Sequence, residues 1–427
     1  MNVNRDHNRQ KKSKGPEANE TISDEHIREE MLSAMDRFGL EKKRILVLIP
    51  DGTRSAPIDR FFRLFHQQYS QRTACVDYLI ALGTHPRMNE AQKLRRVGID
   101  KKQKEGEYRD AKIMNHRWDE PDIFTSIGTI SRSEVSELSE GLLDEEVEIT
   151  VNKRIFEYDV LIVLGPVFPH EIVGFSGSNK YLFPGICGWK FTDLTHWLGA
   201  LRTNIKTIGV ADTPQRRLID RAAELVSVSI VYFNLVVDEE GLKGLFVGDD
   251  DAAWREAVRL SARLNVRYVE KPFHTVLSIP SEMYDDLWTG AKAFYKIEPI
   301  VEDGGTLIIY APHITRVSFT HDKVIHQVGF HVMEYFRDRM RSYERFPRMV
   351  LAYSALVTGA GTYKSGVEKP RIHTVLATKI PGELCERLNI GWKDPGEINV
   401  DEMERRENEG VKVIHDAGEV LYKVAEK

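Results

Sequence analysis

Residues 165–197 read GPVFPHEIVGFSGSNKYLFPGICGWKFTDLTHW and gather His170, Lys180 and His196 among closely spaced glycines. Two familiar chemistries fail on these residues. A zinc-protease helix needs two histidines one turn apart, and HEIVG has Gly174 where the second would stand. A nicotinamide site needs GxGxxG, which is absent here and elsewhere in the chain. An amine and two imidazoles remain. A lysine beside a Gly/Ser loop contacts phosphate or, once desolvated, acts as a nucleophile; its bland alternative is a surface charge. Neutral imidazole at His196 is a ligand type for nickel, copper or zinc. The sequence has no Cys/His cluster, so any metal here takes most of its ligands from something other than this chain.

Other segments add polar groups of the same kind. In PDGTRSAP, Asp51, Thr53 and Arg54 suit a phosphate or carboxylate at a helix start. The same residues also read as an ordinary turn with Asp51 or Thr53 as the helix cap. ALGTHPRM puts His85 between a strand and a helix. His85 and His170 are each either satisfied structural histidines or parts of one shared site. His116 in MNHRW and His313 in YAPHIT carry less signal.

The elements that must position these groups alternate. RILVLI (44–49) is a buried strand followed by a turn and the helix IDRFFRLFHQQY. ACVDYLIALGTH repeats the pattern, with a polar helix from MNEAQKLRRVG. YDVLIVLGPVFPH is a third strand, TIGVAD a fourth, and HWLGALR a helix that His196 begins. Such alternation predicts a parallel, doubly wound sheet, whose ligands bind off the carboxyl ends of the strands. Those ends carry Asp51 to Arg54, Gly83 to His85, and Pro169 to His170. Three strands thus deliver polar groups to one edge.

A second unit starts near residue 272. HTVLSIP, GGTLIIYAP and RIHTVLATKI read as strands and LWTGAKAFYKIEPIV as a helix. MVLAYSALV is a strand or a short helix, and VIHDAGEVLYKVAEK a strand end and a helix. The expected fold class is α/β: two α/β domains with parallel-type sheets and a ligand cleft between them. The boundaries are a disordered tail at 1–22, an N-terminal domain at 23–270 and a C-terminal domain at 271–427.

Composition limits the function classes. The 427 residues are 41% hydrophobic and 29% charged, enough for more than one core. A net charge of -5 gives no bulk attraction to nucleic acid or an anionic membrane. No apolar run approaches a membrane span, and the polar N-terminus lacks the apolar core of a secretory signal. Cys75, Cys187 and Cys385 lack CxxC spacing and cannot build a disulfide framework, which points to a reducing cytoplasm.

Taken in order, the motifs resemble the lactate racemase family, which uses a nickel-pincer nucleotide. The matching pieces are DGTR (51–54), GTHPRM with His85, NH at 115–116, GPVFPHEIVGFSGSNKYLFPGICG, TH at 195–196 and WTGAKAF with Lys292. They span about 40 to 310, and the block with Lys180 and His196 is the most specific.

The resemblance implies two α/β domains with the cofactor in the cleft between them. Lys180 bonds covalently to the pincer ring, and His196 coordinates nickel beside two sulfurs and a carbon of the cofactor. Asp51, Thr53 and Arg54 bind cofactor and substrate, and His85 and His170 are paired acid/base groups. Lys292 holds the carboxylate of a small-molecule 2-hydroxy acid, and enzymes of cofactor synthesis supply the nucleotide. The family has a Gln where this chain has Thr289 and an Ala at Gly290. That departure predicts a wider pocket, a substrate bulkier than lactate such as a sugar acid, and His313 as a partner for extra hydroxyls. Lactate or another short-chain acid is the alternative. A nicotinamide-dependent dehydrogenase is opposed by the missing GxGxxG. A silent binding protein is opposed by the presence of Lys180, His85 and His170.

Overall fold

The computed structural model describes residues 20–425. The first sheet has six strands. Arg44–Ile49 lies at its middle, parallel to Cys75–Ile80 on one side and Val160–Pro166 on the other. Ile113–Asn115 continues the first side and Ser229–Asp238 the second, both parallel, and Gly241–Gly248 closes the edge antiparallel. Five of the six residues in Arg44–Ile49 are buried, as a parallel strand covered on both faces requires. Helix Ile58–Tyr69 covers the sheet with Ile58, Phe61, Phe62, Phe65 and Tyr69, at helical spacing. The chain leaves Arg44–Ile49 toward one edge and later returns on the other side, so the strand order reverses beside that strand. Ligands of such sheets sit at this reversal.

The second sheet is parallel throughout. Its order is Gly391–Trp392, His373–Thr378, Val301–Ala311, Phe273–Pro280, Val411–Ala417. One buried apolar cluster runs through both units, from Leu161, Phe183 and Leu198 to Phe294, Leu307 and Val350. Polar contacts cross as well: the Asn204 amide donates to Glu298 (2.8 Å) and to the Tyr295 carbonyl (2.9 Å).

Several elements depart from expectation. TIGVAD is not a strand: it is the end of a short helix and a turn, with Gly209 at φ +74°. The parallel strand that follows Val160–Pro166 in the sheet is SIVYFNLVVD, which is longer and rich in β-branched and aromatic residues. LWTGAKAFYKIEPIV forms the short turns Leu287–Gly290, Lys292–Tyr295 and Glu298–Ile300, punctuated by Gly290 and Pro299. MVLAYSALV is helical within Arg348–Thr358, where every residue from Met349 to Thr358 is buried, so no amphipathic period marks it. The chain ends in strands rather than a helix: Leu421–Val424 pairs with Val266–Val269. Most of the expected tail, 1–22, lies outside the described residues. At its end Ile22 is buried and donates its N–H to the Leu242 carbonyl.

A two-stranded hairpin, Pro169–His170 with Gly174–Phe175, carries His170. Gly174 has φ +81°, and a Cβ there would lie 1.8 Å from the Val210 carbonyl oxygen. Gly174→Ala is therefore expected to destabilise the chain by at least about 2 kcal/mol, from left-handed strain and overpacking. Urea denaturation measures this; an unchanged midpoint would contradict the packing.

Candidate active site

The loops at the carboxyl ends of the first sheet close a cavity of about 140 Å³. Asp51, Thr53 and Arg54 enter it from the turn after Arg44–Ile49, and His85 from the loop after Cys75–Ile80. His170 and Lys180 come from the segment after Val160–Pro166, and His196 from helix Trp189–Arg202. Thr289 and Lys292 reach the same cavity from the second unit. One space thus holds residues from distant parts of the chain.

Asp51 forms a turn rather than a helix cap. Its Oδ1 accepts from the Thr53 N–H (3.0 Å) and hydroxyl (2.8 Å), whereas the helix N-cap is Pro57. Its Oδ2 lies 2.5 Å from Nδ1 of His85. Burial pushes the Asp51 carboxyl up, but the His85 charge and hydrogen bond, with Lys292 and Thr53, carry it well below the usual range. An ionised carboxylate only accepts, so Nδ1 of His85 carries a proton toward Asp51, and in the neutral ring Nε2 then keeps its lone pair. The Trp118 indole N–H donates to the His85 carbonyl (2.9 Å) and steadies the loop.

His170 is held the other way round. Its Nδ1 accepts the Ile172 N–H at 3.1 Å, so the proton of the neutral ring sits on Nε2. Burial, then Lys180, Arg54 and Lys296, holds its pKa well below the ordinary histidine value. His85 thus offers an acceptor nitrogen and His170 a donor N–H.

Lys180 and His196 fit the prosthetic group that the resemblance implies. Burial, then the Arg54 charge, lowers the Lys180 amine to about 8, which raises its nucleophilic fraction. Nδ1 of His196 donates to the Thr192 carbonyl (2.7 Å), leaving the Nε2 lone pair free. Burial brings His196 down to about 4, so the ring is neutral, as a metal ligand must be. Among the described residues no group of three His, Cys, Asp or Glu side chains could hold a metal ion. The donor set suits a metal that arrives with most of its ligands.

The Lys292 amine stands 3.5 Å from the Thr53 carbonyl and 5.0 Å from the centre of the Tyr284 ring. Burial, then Arg54, pushes its pKa well below the usual lysine value, against Asp51 and Glu171. A carboxylate arriving beside it supplies the charge that favours the protonated amine. Thr289 lines the cavity, but its hydroxyl donates to Asp286 at 2.8 Å. Gly290 does not widen the cavity, because a Cβ there would point at Ile314, 2.8 Å away. His313 is not among the lining residues; its Nε2 donates to the Tyr284 carbonyl (3.0 Å). His116 is fully buried and contacts the Asn152 amide (3.1 Å) and the edge of Phe124, a structural place outside the cavity.

Sequence reasoning passed over Glu171, Lys296 and the wall of Trp288, Tyr295 and Tyr353. Glu171 lines the cavity, and Lys296 lines a small chamber behind it with Arg54, Lys292 and Glu419. Burial lowers Lys296 to about 7, and its amine donates to the Pro169 carbonyl beside His170. The available signal was the pair Lys292 and Lys296, one turn apart within an otherwise apolar segment.

Comparisons with known proteins bear on the family and the fold. The family model for the lactate racemase N-terminal domain matches residues 5–208. The lactate racemase of Thermoanaerobacterium thermosaccharolyticum is 23% identical over 276 residues, 63% of this chain and 60% of that protein. The lactate racemase of Lactiplantibacillus plantarum is 24% identical over 185 residues, 43% of each chain. These matches span less than two thirds of either curated relative. The crystal structure of a Thermotoga maritima protein superposes with TM-score 0.87 at 30% identity, covering 95% of this chain and 99% of that one. The lactate racemase apoprotein of T. thermosaccharolyticum superposes with TM-score 0.70 at 18% identity, over 95% and 94%, a likeness of fold. With its motifs and these matches in one order, the chain carries the lactate racemase N-terminal domain over residues 5–208 and shares the fold of the lactate racemase apoprotein.

Proposed function

We propose that this chain inverts the C2 hydroxyl of a 2-hydroxy carboxylate, with a nickel-pincer nucleotide on Lys180 and His196 as a nickel ligand. The observation that carries this reading is the single cavity that holds His85, His170, Lys180, His196 and Lys292 together. When bound, the group supplies a hydride acceptor that returns the hydride to either face. The C2 proton of a hydroxy acid is very weakly acidic, so hydride removal avoids a carbanion. Arg54 and Lys292 hold the carboxylate through the turnover. His85 takes the hydroxyl proton at Nε2, and His170 serves the oxygen on the opposite face. Three free cysteines fit a cytoplasmic setting, and enzymes of cofactor synthesis are the partners the chain needs. Among the described residues no helix is long and apolar enough to cross a membrane.

The substrate we propose is larger than lactate, a sugar acid such as an aldonate. A second cavity of about 580 Å³ adjoins the first and shares Asp51, Thr53, His85, Trp288 and Thr289 with it. Thr289 therefore stands where the two spaces meet, and the outer one offers Gln92, Arg95 and Asp285 to a hydroxylated tail. The inner cavity alone suits a short acid, which is the competing reading. Cofactor-loaded protein assayed with single-enantiomer 2-hydroxy acids, from lactate to six-carbon aldonates, decides between them. Aldonate epimerisation faster than lactate racemisation is expected. Lactate racemised with every aldonate untouched would overturn the larger substrate. Keto acid accumulating with reduced NAD would overturn the racemase.

A further inference from the structure

A histidine that serves as a base at Nε2 needs its proton on Nδ1. So does an imidazolium that serves as an acid at Nε2. His85 meets this condition through Asp51, but His170 does not, because its Nδ1 is occupied as an acceptor by the Ile172 N–H. The acceptor at hand for a proton on that nitrogen is Oε2 of Glu171, 3.5 Å from Nδ1. Glu171 is 9% exposed and, among the described residues, its carboxylate accepts no hydrogen bond. We infer that Glu171 is the positioning carboxylate of His170: in the working site it accepts the Nδ1–H and displaces the Ile172 amide.

The surroundings explain why the resting structure shows the other form. Glu171 lines both the main cavity and the chamber behind it, where Arg54, Lys292 and Lys296 attract the same carboxylate. The cations Lys180, Arg54 and Lys296, with His196 near, also oppose charge on His170. An incoming carboxylate competes for Arg54 and Lys292, which frees Glu171 to turn toward Nδ1. Substrate arrival thereby switches His170 from a neutral N–H donor to a proton-transfer group, and only the proton on its ring changes place.

The proposal rests on His170 being a proton-transfer group, so His170→Gln is measured beside Glu171→Gln and Glu171→Asp. All are compared at equal cofactor occupancy by intact mass. Glu171→Gln is expected to lower kcat by about 100-fold or more with KM nearly constant, as loss of a histidine-orienting carboxylate does. The limb of the kcat–pH profile belonging to His170 should move to lower pH, because a carboxylate raises an imidazole pKa and its removal lowers it. Glu171→Asp should restore most of the rate. Ordinary activity in His170→Gln would remove the histidine itself from the reaction. Full kcat in Glu171→Gln beside an inactive His170→Gln would overturn the assignment of Glu171. So would a raised KM with unchanged kcat, which would make Glu171 a counter-charge for Arg54 and Lys292.

Discussion

His85→Gln is expected to leave the chain folded and loaded yet slower by about 100- to 10,000-fold in kcat, the usual cost of losing a general base. The ring touches neither Lys180 nor His196 through a hydrogen bond, so cofactor occupancy and nickel content should hold. Asp51 makes the prediction sharper. Its Oδ2 fixes the His85 proton on Nδ1 at 2.5 Å, and Asn in its place can present an N–H to that nitrogen and invert the tautomer. Asp51→Asn should therefore approach the His85→Gln loss, and the double variant should be little worse than either, as for groups acting as a unit. Loss of the cofactor in Asp51→Asn, with unchanged turnover per loaded chain, would instead make Asp51 a cofactor ligand alone. Near-full activity in His85→Gln would remove that histidine from the mechanism.

The parts of the site that were legible from sequence are those that follow visible strands. RILVLI, CVDYLI and VLIVLGP are short apolar runs bounded by turn residues, so the loops carrying Asp51, His85 and His170 could be placed at one edge. Lys180 and His196 follow the third of them in the same chain segment. Lys292 was different: it sits on a broken helical stretch with no period of its own, and only the resemblance singled it out. His313 failed because the direction in which a loop leaves a strand depends on packing. Val301–Ala311 ends and the ring turns to the Tyr284 carbonyl. Tyr353 stayed hidden on a helix buried on every side. Glu171 stayed hidden beside a histidine, because a single carboxylate carries no periodic or spacing signal. What distinguishes it is the 3.5 Å contact and the cations around it, both products of the tertiary fold.

Replacement of Lys180 should have the largest effect, because the proposed function attaches the cofactor there. Three lysines compete for the role of nucleophile, and each has a depressed pKa: Lys180 about 8, Lys296 about 7, Lys292 well below the ordinary value. A low pKa alone therefore does not choose among them. Position does. Lys296 is absent from the lining of the main cavity, and its amine is spent on the Pro169 carbonyl. Lys292 faces Thr53 and the Tyr284 ring, where the proposed reading seats the substrate carboxylate. Lys180 lines the cavity with His196, and its charge is among those that hold His196 neutral. An amine that bonds to a metal-bearing group must share a space with the metal's imidazole. At pH 7, a lysine of pKa about 8 has roughly one amine in ten unprotonated, against roughly one in three thousand at the ordinary value. Loading of the cofactor onto the purified chain should thus speed up as pH rises and level off above about 8. Lys180→Arg keeps the charge but loses the nucleophile, and should show no adduct by intact mass at any pH. His196→Ala should keep the adduct and lose nickel. An adduct on Lys292 or Lys296 in the wild-type chain, or one that survives Lys180→Arg, would overturn the assignment.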